Sequence, residues 1–162
     1  MSKTDRTTCQ PGLAARYPAD MLLREGYYRA LVPLAALLIG DPEAAEEIAA
    51  GALAAAPRRL LLSDQQNEAT LRFLQRQVVI RCRRRPADAK VPNCSDETEF
   101  AHLPVVSALQ ELPPPRREAV VLRLYLDLSE QQAASVAGVA RAAMRKQLGC
   151  AMRTLQERLP RA

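Results

Sequence analysis

An all-α fold is predicted by three features of the sequence. Aromatic residues make up only 4% of the 162 residues and Trp is absent, so alanine and leucine must supply most of the core, which favours close-packed helices over a β-sandwich. No segment shows the apolar–polar alternation of a half-buried strand. Gly-Asp-Pro, Pro-Pro-Pro and Ser-x-x-Gln signals cut the apolar pattern into helix-length pieces. The predicted organisation is a disordered N-terminus (1–18), a helical domain (19–85), a flexible linker (86–104) and a second helical domain (105–162).

The first helix is expected to begin at Ala19-Asp20, with Asp20 as cap, and to run through Tyr27, Tyr28, Leu31, Leu34, Ala35 and Leu38. Pro33 falls inside this pattern and predicts a kink or a break. Gly40-Asp41-Pro42 then ends one helix, caps the next and supplies its first turn. A second helix is expected from Pro42 to about Ala56, with Glu43, Glu46 and Glu47 near its positive end. A helical turn at 58–62 lies in the connector that follows. The third helix, 68–84, turns Leu71, Leu74, Val78, Ile80 and Cys82 inward and leaves an arginine-rich face outward. Prolines 86, 92 and 104 and a scarcity of large apolar residues mark the linker.

In the second domain Pro113 to Pro115 stop whatever precedes them. Arg116 opens an apolar run (Ala119, Val120, Val121, Leu122, Leu124, Tyr125) that predicts a buried helix, broken at Asp127-Leu128. Ser129 and Gln132 form a capping box for a short helix, and Gly138 supplies a left-handed turn. From Ala140 a last helix places Met144, Leu148, Ala151, Leu155 and Leu159 on one stripe. Helix, short helix, Gly turn and basic helix together are the grammar of a helix-turn-helix.

Charge follows this division. The net charge is +5, and residues 138–162 carry six basic residues against one acid, Glu157. Residues 72–85 carry Arg72, Arg76, Arg81, Arg83, Arg84 and Arg85 with no acid, so intrahelical ion pairs within that stretch are forgone. Both segments suit a polyanion, and either also suits a solvated helix face. Arg141, Arg145, Lys146 and Arg153 point away from the apolar stripe, where the start of a recognition helix meets base edges and phosphates.

Nothing in the sequence points to catalysis. No Gly-rich phosphate loop, Ser–His pairing or carboxylate cluster is present beyond the glutamates at helix starts, so no enzyme, cofactor or small-molecule substrate is expected. Cys82, Cys94 and His102 lack a fourth ligand and the paired spacing that zinc sites prefer. The polar N-terminus lacks a secretory core, and the apolar run 31–39 is too short for a bilayer. The expected location is the cytoplasm, in association with the nucleoid.

Three segments in order, LVPLAALLIGDPEAAEEIAAGAL, LRFLQRQVVIRCRRR and ALQELPPPRREAVVLRLYLDLSEQQAASVAGV, resemble the extracytoplasmic-function sigma factors of bacteria, members of the sigma-70 family. The resemblance covers about residues 20–160 and suggests a divergent, actinobacterial-type member. It implies that the first domain is a region 2, which binds the RNA polymerase clamp and opens the promoter, and the second a region 4, which reads the upstream element. It places polymerase contacts at Glu46, Glu47 and Ile48. DNA contacts would lie at Arg116, Arg117, Arg141, Arg145, Lys146 and Arg153, with Arg76, Arg81, Arg83, Arg84 and Arg85 near the opened duplex. Promoter DNA, core polymerase and an anti-sigma factor are the implied partners.

The chain also departs from the pattern. Ala49, Ala50 and Gly51 stand where Val, Gln and Glu are usual, which implies weakened polymerase binding. Ile80 replaces an Asn, and Ala133 and Ala137 replace bulkier residues between the last two helices. The function expected is that of a sigma-like regulator of transcription initiation. The alternatives are a helix-turn-helix regulator without sigma activity and a sigma-fold interaction module that occupies an anti-sigma factor or another regulator.

Overall fold

The computed structural model describes residues 19–61, 68–85 and 104–158, and every described element is helical. The expected disordered N-terminus, residues 86–103 of the expected linker, Cys94, His102 and Leu159 lie outside these residues. So does the side chain of Asp20, the expected first cap.

Helix α1 (Ala19–Ile39) runs without interruption through Pro33. The expected break is absent, and a physical reason is visible. Proline removes one hydrogen bond, to the carbonyl of Arg29, and Arg29 lies on the exposed side, open to solvent. Gly40 ends the helix at φ +76, its N–H donating to the Ala36 carbonyl at 2.7 Å. Helix α2 (Pro42–Ala54) starts as the sequence predicts, with the Asp41 carboxylate accepting from the Ala44 N–H at 3.1 Å and Pro42 in the first turn. A single turn, α3 (Arg58–Leu61), precedes α4 (Glu68–Arg84). Leu74 and Val78 of α4 are fully buried and Ile80 is half-buried. Val79, which the inward stripe omitted, is fully buried too.

Pro104, the last residue of the expected linker, opens α5 (Pro104–Gln110), a helix that the sequence pattern does not separate from its surroundings. Helix α6 (Pro114–Val120) continues into a wider π-helical turn over Val121–Tyr125. The Leu126 N–H reaches back to the Val121 carbonyl, and Asp127, at φ +50, reverses the chain. The apolar run was expected to be buried throughout, and this is corrected at its end. Leu124 and Tyr125 are 58% and 50% exposed, because the widened turn rotates the last residues off the core side.

Helix α7 (Glu130–Ala137) carries the predicted capping box, Ser129 with Gln132, and ends at Gly138 in the left-handed region. Helix α8 (Arg141–Arg158) buries Met144, Ala151 and Leu155. Ala133 and Ala137 are buried at the α7 contact, so the small side chains let the helices approach rather than leave a void. The core is one cluster of buried residues. Leu31 and Leu34 of α1 and Leu74 and Val78 of α4 belong to it together with Leu109, Leu122, Ala133 and Met144. The first four helices thus pack on the later ones, α1 against α5 and α6 and α4 against α7.

Candidate nucleic-acid interface

The open face of the helix-turn-helix is built by local rules. The capping box satisfies two amides at the start of α7: Gln132 N–H donates to Ser129 Oγ at 3.2 Å, and Ser129 N–H donates to Gln132 Oε1 at 2.8 Å. Gly138 closes the turn, with the Val139 N–H donating to the Ala134 carbonyl at 3.0 Å. The apolar stripe of α8 then fixes which side faces out. Arg141, Arg145, Lys146 and Arg153 are all exposed.

Two of these cations are held in register by Glu130, the first residue of α7. Arg145 donates to both Glu130 oxygens, at 2.9 and 3.1 Å, and Arg141 lies 3.5 Å from the same carboxylate. The hydrogen bond from Arg145, and then the charges of Arg145 and Arg141, keep the Glu130 carboxyl below the usual range. The pair stays open to solvent on the arginine side, where Arg145 is 71% exposed. Such an arrangement orients the guanidinium without burying it, and phosphates or base edges remain within its reach. Arg153, about two turns beyond Arg145, bonds only within its own helix.

Residues 102–155 match the family model for sigma-70, region 4. This stretch of the chain is similar to a sigma-70 region 4. The chain as a whole is similar in fold to the sigma factor RpoE from Bartonella quintana, solved in complex with the anti-sigma factor NepR. The TM-score is 0.61 at 19% identity, over 85% of this chain and 94% of that one. No curated protein matches the sequence. The first finding agrees with the sigma-70 resemblance of the sequence motifs over residues 102–155, and the second is a likeness of fold.

Within the matched stretch the two arginines at the start of α6 have different surroundings. Both are half-buried, but only Arg117 is bonded to main-chain carbonyls. It donates to the carbonyls of Leu109 at 2.9 Å, Gln110 at 2.7 Å, Leu112 at 3.1 Å and Leu38 at 2.5 Å. Burial lowers its pKa, the charge being offset by these four oxygens. In this arrangement Arg117 caps α5 and the end of α1, with each of its three nitrogens already donating to a carbonyl.

The α4 arginines are similarly divided. Arg83 donates to both oxygens of Glu118, at 2.8 and 2.6 Å, and Arg76 donates to the Ser135 carbonyl at 3.0 Å. Arg85 reaches the α2 cap residue Asp41 at 3.3 Å, and Arg72 pairs with Glu68. The Glu68 partner precedes the acid-free stretch, so an intrahelical pair forms after all. Arg81 packs against Gly51, where an added Cβ would come within 3.1 Å of its Nη1. Arg84 is exposed, with no hydrogen bond or ion pair among the described residues.

On α2 the residues assigned to polymerase are consecutive and differ in exposure. Glu46 and Glu47 are exposed, and Ile48 is half-buried against the core. Gly51 has a packing reason that the sequence did not reveal, since it makes room for Arg81 of α4. Sequence patterns also missed Glu118 and Glu130. Glu118 is hidden in an apolar run, whereas Glu130 carried a usable signal as an acid in the first turn of a capped helix.

Proposed function

We propose that the chain is a sigma-type transcription initiation factor that places the start of α8 in the major groove of an upstream promoter element and engages core RNA polymerase through α2. The observation that carries this reading is the capped helix-turn-helix with Arg141, Arg145 and Lys146 on its open face, inside the stretch that matches region 4. Arg153, one face along α8, and Arg116 at the start of α6 supply phosphate contacts that set the register. Exposed Glu46 and Glu47, backed by Ile48, form the polymerase-facing flank, and Arg84 with its α4 neighbours faces the opened strand. The test is a mobility shift on promoter fragments with and without core polymerase, in which binding that needs polymerase supports the sigma reading.

A protein partner is a second reading, and one observation favours it. An apolar groove of about 770 Å³ runs between α1, α5, the π-helical turn and α8, lined by Leu37, Val105, Leu124, Tyr125 and Met152 among others. The related RpoE was solved with an anti-sigma factor, and a partner of that kind, presenting an apolar helix face, suits such a groove. Capture of the full chain by a purified anti-sigma protein, abolished by Leu124→Ser with Tyr125→Ser, would support this reading.

A further inference from the structure

The first turns of α8 carry Arg141 and Arg145 four residues apart, a spacing that sets like charges side by side on one helix face. A single carboxylate from the preceding helix stands between them. Glu130 Oε1 accepts from Arg145 Nη2 at 2.9 Å and lies 3.5 Å from Arg141 Nε, while Oε2 accepts from Arg145 Nε at 3.1 Å. Glu130 is half-buried, whereas both guanidiniums are exposed. The fork occupies only the Nε side of Arg145, and its Nη1 has no hydrogen bond among the described residues. Lys146, the next residue, is exposed and has no ion pair among the described residues.

We infer that Glu130 is a specificity-determining positioning residue, which holds Arg145 in one orientation so that its open guanidinium edge reads a guanine in the major groove rather than pairing with the nearest phosphate. The inference rests on the reading of α8 as the helix that enters DNA. It adds which α8 cation discriminates between bases and what aims it.

A guanidinium has five donors in one plane. Glu130 takes those on the Nε side of Arg145, and the outer edge, Nη1 with the second Nη2 hydrogen, keeps the paired geometry that matches O6 and N7 of guanine. An unheld arginine loses rotamer freedom when it fixes itself against a base, and any phosphate attracts it as well. Arg145 gives up that freedom before DNA arrives, so a matched base meets a donor pair already in place. The carboxylate also repels phosphates, and two arginines against one glutamate leave a single net positive charge. Attraction to every sequence therefore falls, while the matched site keeps its two hydrogen bonds. An exposed ion pair contributes little to the fold, so the fork matters more for DNA than for stability. Lys146, a rotatable point charge without a partner, suits a phosphate instead.

The full chain with core polymerase is used to select duplexes from a randomised pool. Affinity is then measured for the selected duplex and for the same duplex with one guanine pair replaced. The native chain should prefer the guanine, and Arg145→Ala should lose that preference. Glu130→Gln, which keeps the shape and frees Arg145, should cut the preference by about tenfold without weakening binding to the replaced duplex. Arg145→Lys, which keeps the charge but not the fork, should lose the preference too. In an Arg145→Ala chain Glu130→Gln should change the ratio no further, and the urea midpoint of Glu130→Gln should stay close to the native one. Native discrimination in Glu130→Gln, with Arg145→Ala still losing it, overturns the inference and leaves the α8 reading standing. An effect of Glu130→Gln that persists in the Arg145→Ala chain means that Glu130 meets DNA itself, and also overturns it. So does a lowered midpoint with equal loss of affinity for both duplexes, which marks a structural role. A native chain that selects no sequence removes the α8 reading and the inference together.

Discussion

Arg117 donates a hydrogen bond of 2.5 Å to the carbonyl of Leu38, so a side chain from the second half of the protein caps the last turn of its first helix. The end of a helix leaves carbonyls without intrahelical partners, and a cation there also meets the negative end of the helix dipole. Arg117→Ala is expected to lower stability by about 2–4 kcal/mol, because several buried carbonyls are deprived of a charged donor together. Urea denaturation followed by circular dichroism measures this. Duplex affinity measured well below the midpoint should change less than severalfold, in contrast to substitutions on α8.

Gly40 joins the same junction. Its φ of +76 and the Gln110 side chain, which would lie 2.7 Å from an added Cβ, both disfavour a larger residue. Gly40→Ala should destabilise the fold by about 1–2 kcal/mol from backbone strain alone. Gly149, within α8, has nothing within 4 Å of an added Cβ, and Gly149→Ala should stabilise by roughly 0.5–1 kcal/mol. The two substitutions are compared by denaturant midpoint at constant slope.

The local grammar of the chain was legible in its sequence. The limits of α4, the Asp41 cap, the Ser129–Gln132 box and the Gly138 turn all arise from neighbouring residues, and local patterns report them. Continuity through Pro33 was not legible, because it depends on which side of α1 meets water. Nor was the fate of Arg83 and Arg117. Periodicity marks a face as polar, but it does not say whether solvent, nucleic acid or another helix covers it. Their partners Glu118 and Leu38 are 35 and 79 residues away. The exposed positions of Arg141, Arg145 and Lys146 were legible, because one apolar stripe fixes the rotation of α8.

Cys82 gives a prediction in pH. Burial first, and the charge of Glu118 second, push its thiol from an ordinary 9.0 up to about 12. Folding therefore favours the protonated thiol. That contribution is complete below about pH 9 and disappears as the pH rises toward 12. Relative to a Cys82→Ala protein, the native chain should lose roughly 1 kcal/mol between neutral pH and about pH 10. Parallel urea titrations at the two pH values test the sign. A thiol-alkylating reagent at about pH 8 should label Cys150 well before Cys82.

The flank of α2 proposed to face polymerase yields a competition experiment. Ala50 is exposed, whereas Gly51 faces Arg81 and accepts a larger side chain only by displacing it. Against a housekeeping sigma subunit the chain should bind core polymerase at least tenfold more weakly, about 1.4 kcal/mol, for want of polar side chains at 50 and 51. Ala50→Gln alone should recover part of that difference. Equal competition by the native chain would show that other residues hold the clamp.

The central claim is that α8 reads promoter DNA on behalf of polymerase. The most direct measurement is a mobility shift on promoter fragments, with and without core polymerase, over a range of salt concentrations. A polymerase-dependent shift is expected for the native chain. Arg145→Ala with Lys146→Ala should abolish it at moderate salt, leave the helical signal intact, and flatten the salt dependence of log affinity by about 0.9 for each phosphate no longer neutralised. A shift unchanged in strength and slope in that double variant, or no shift under any condition with polymerase present, would contradict the account.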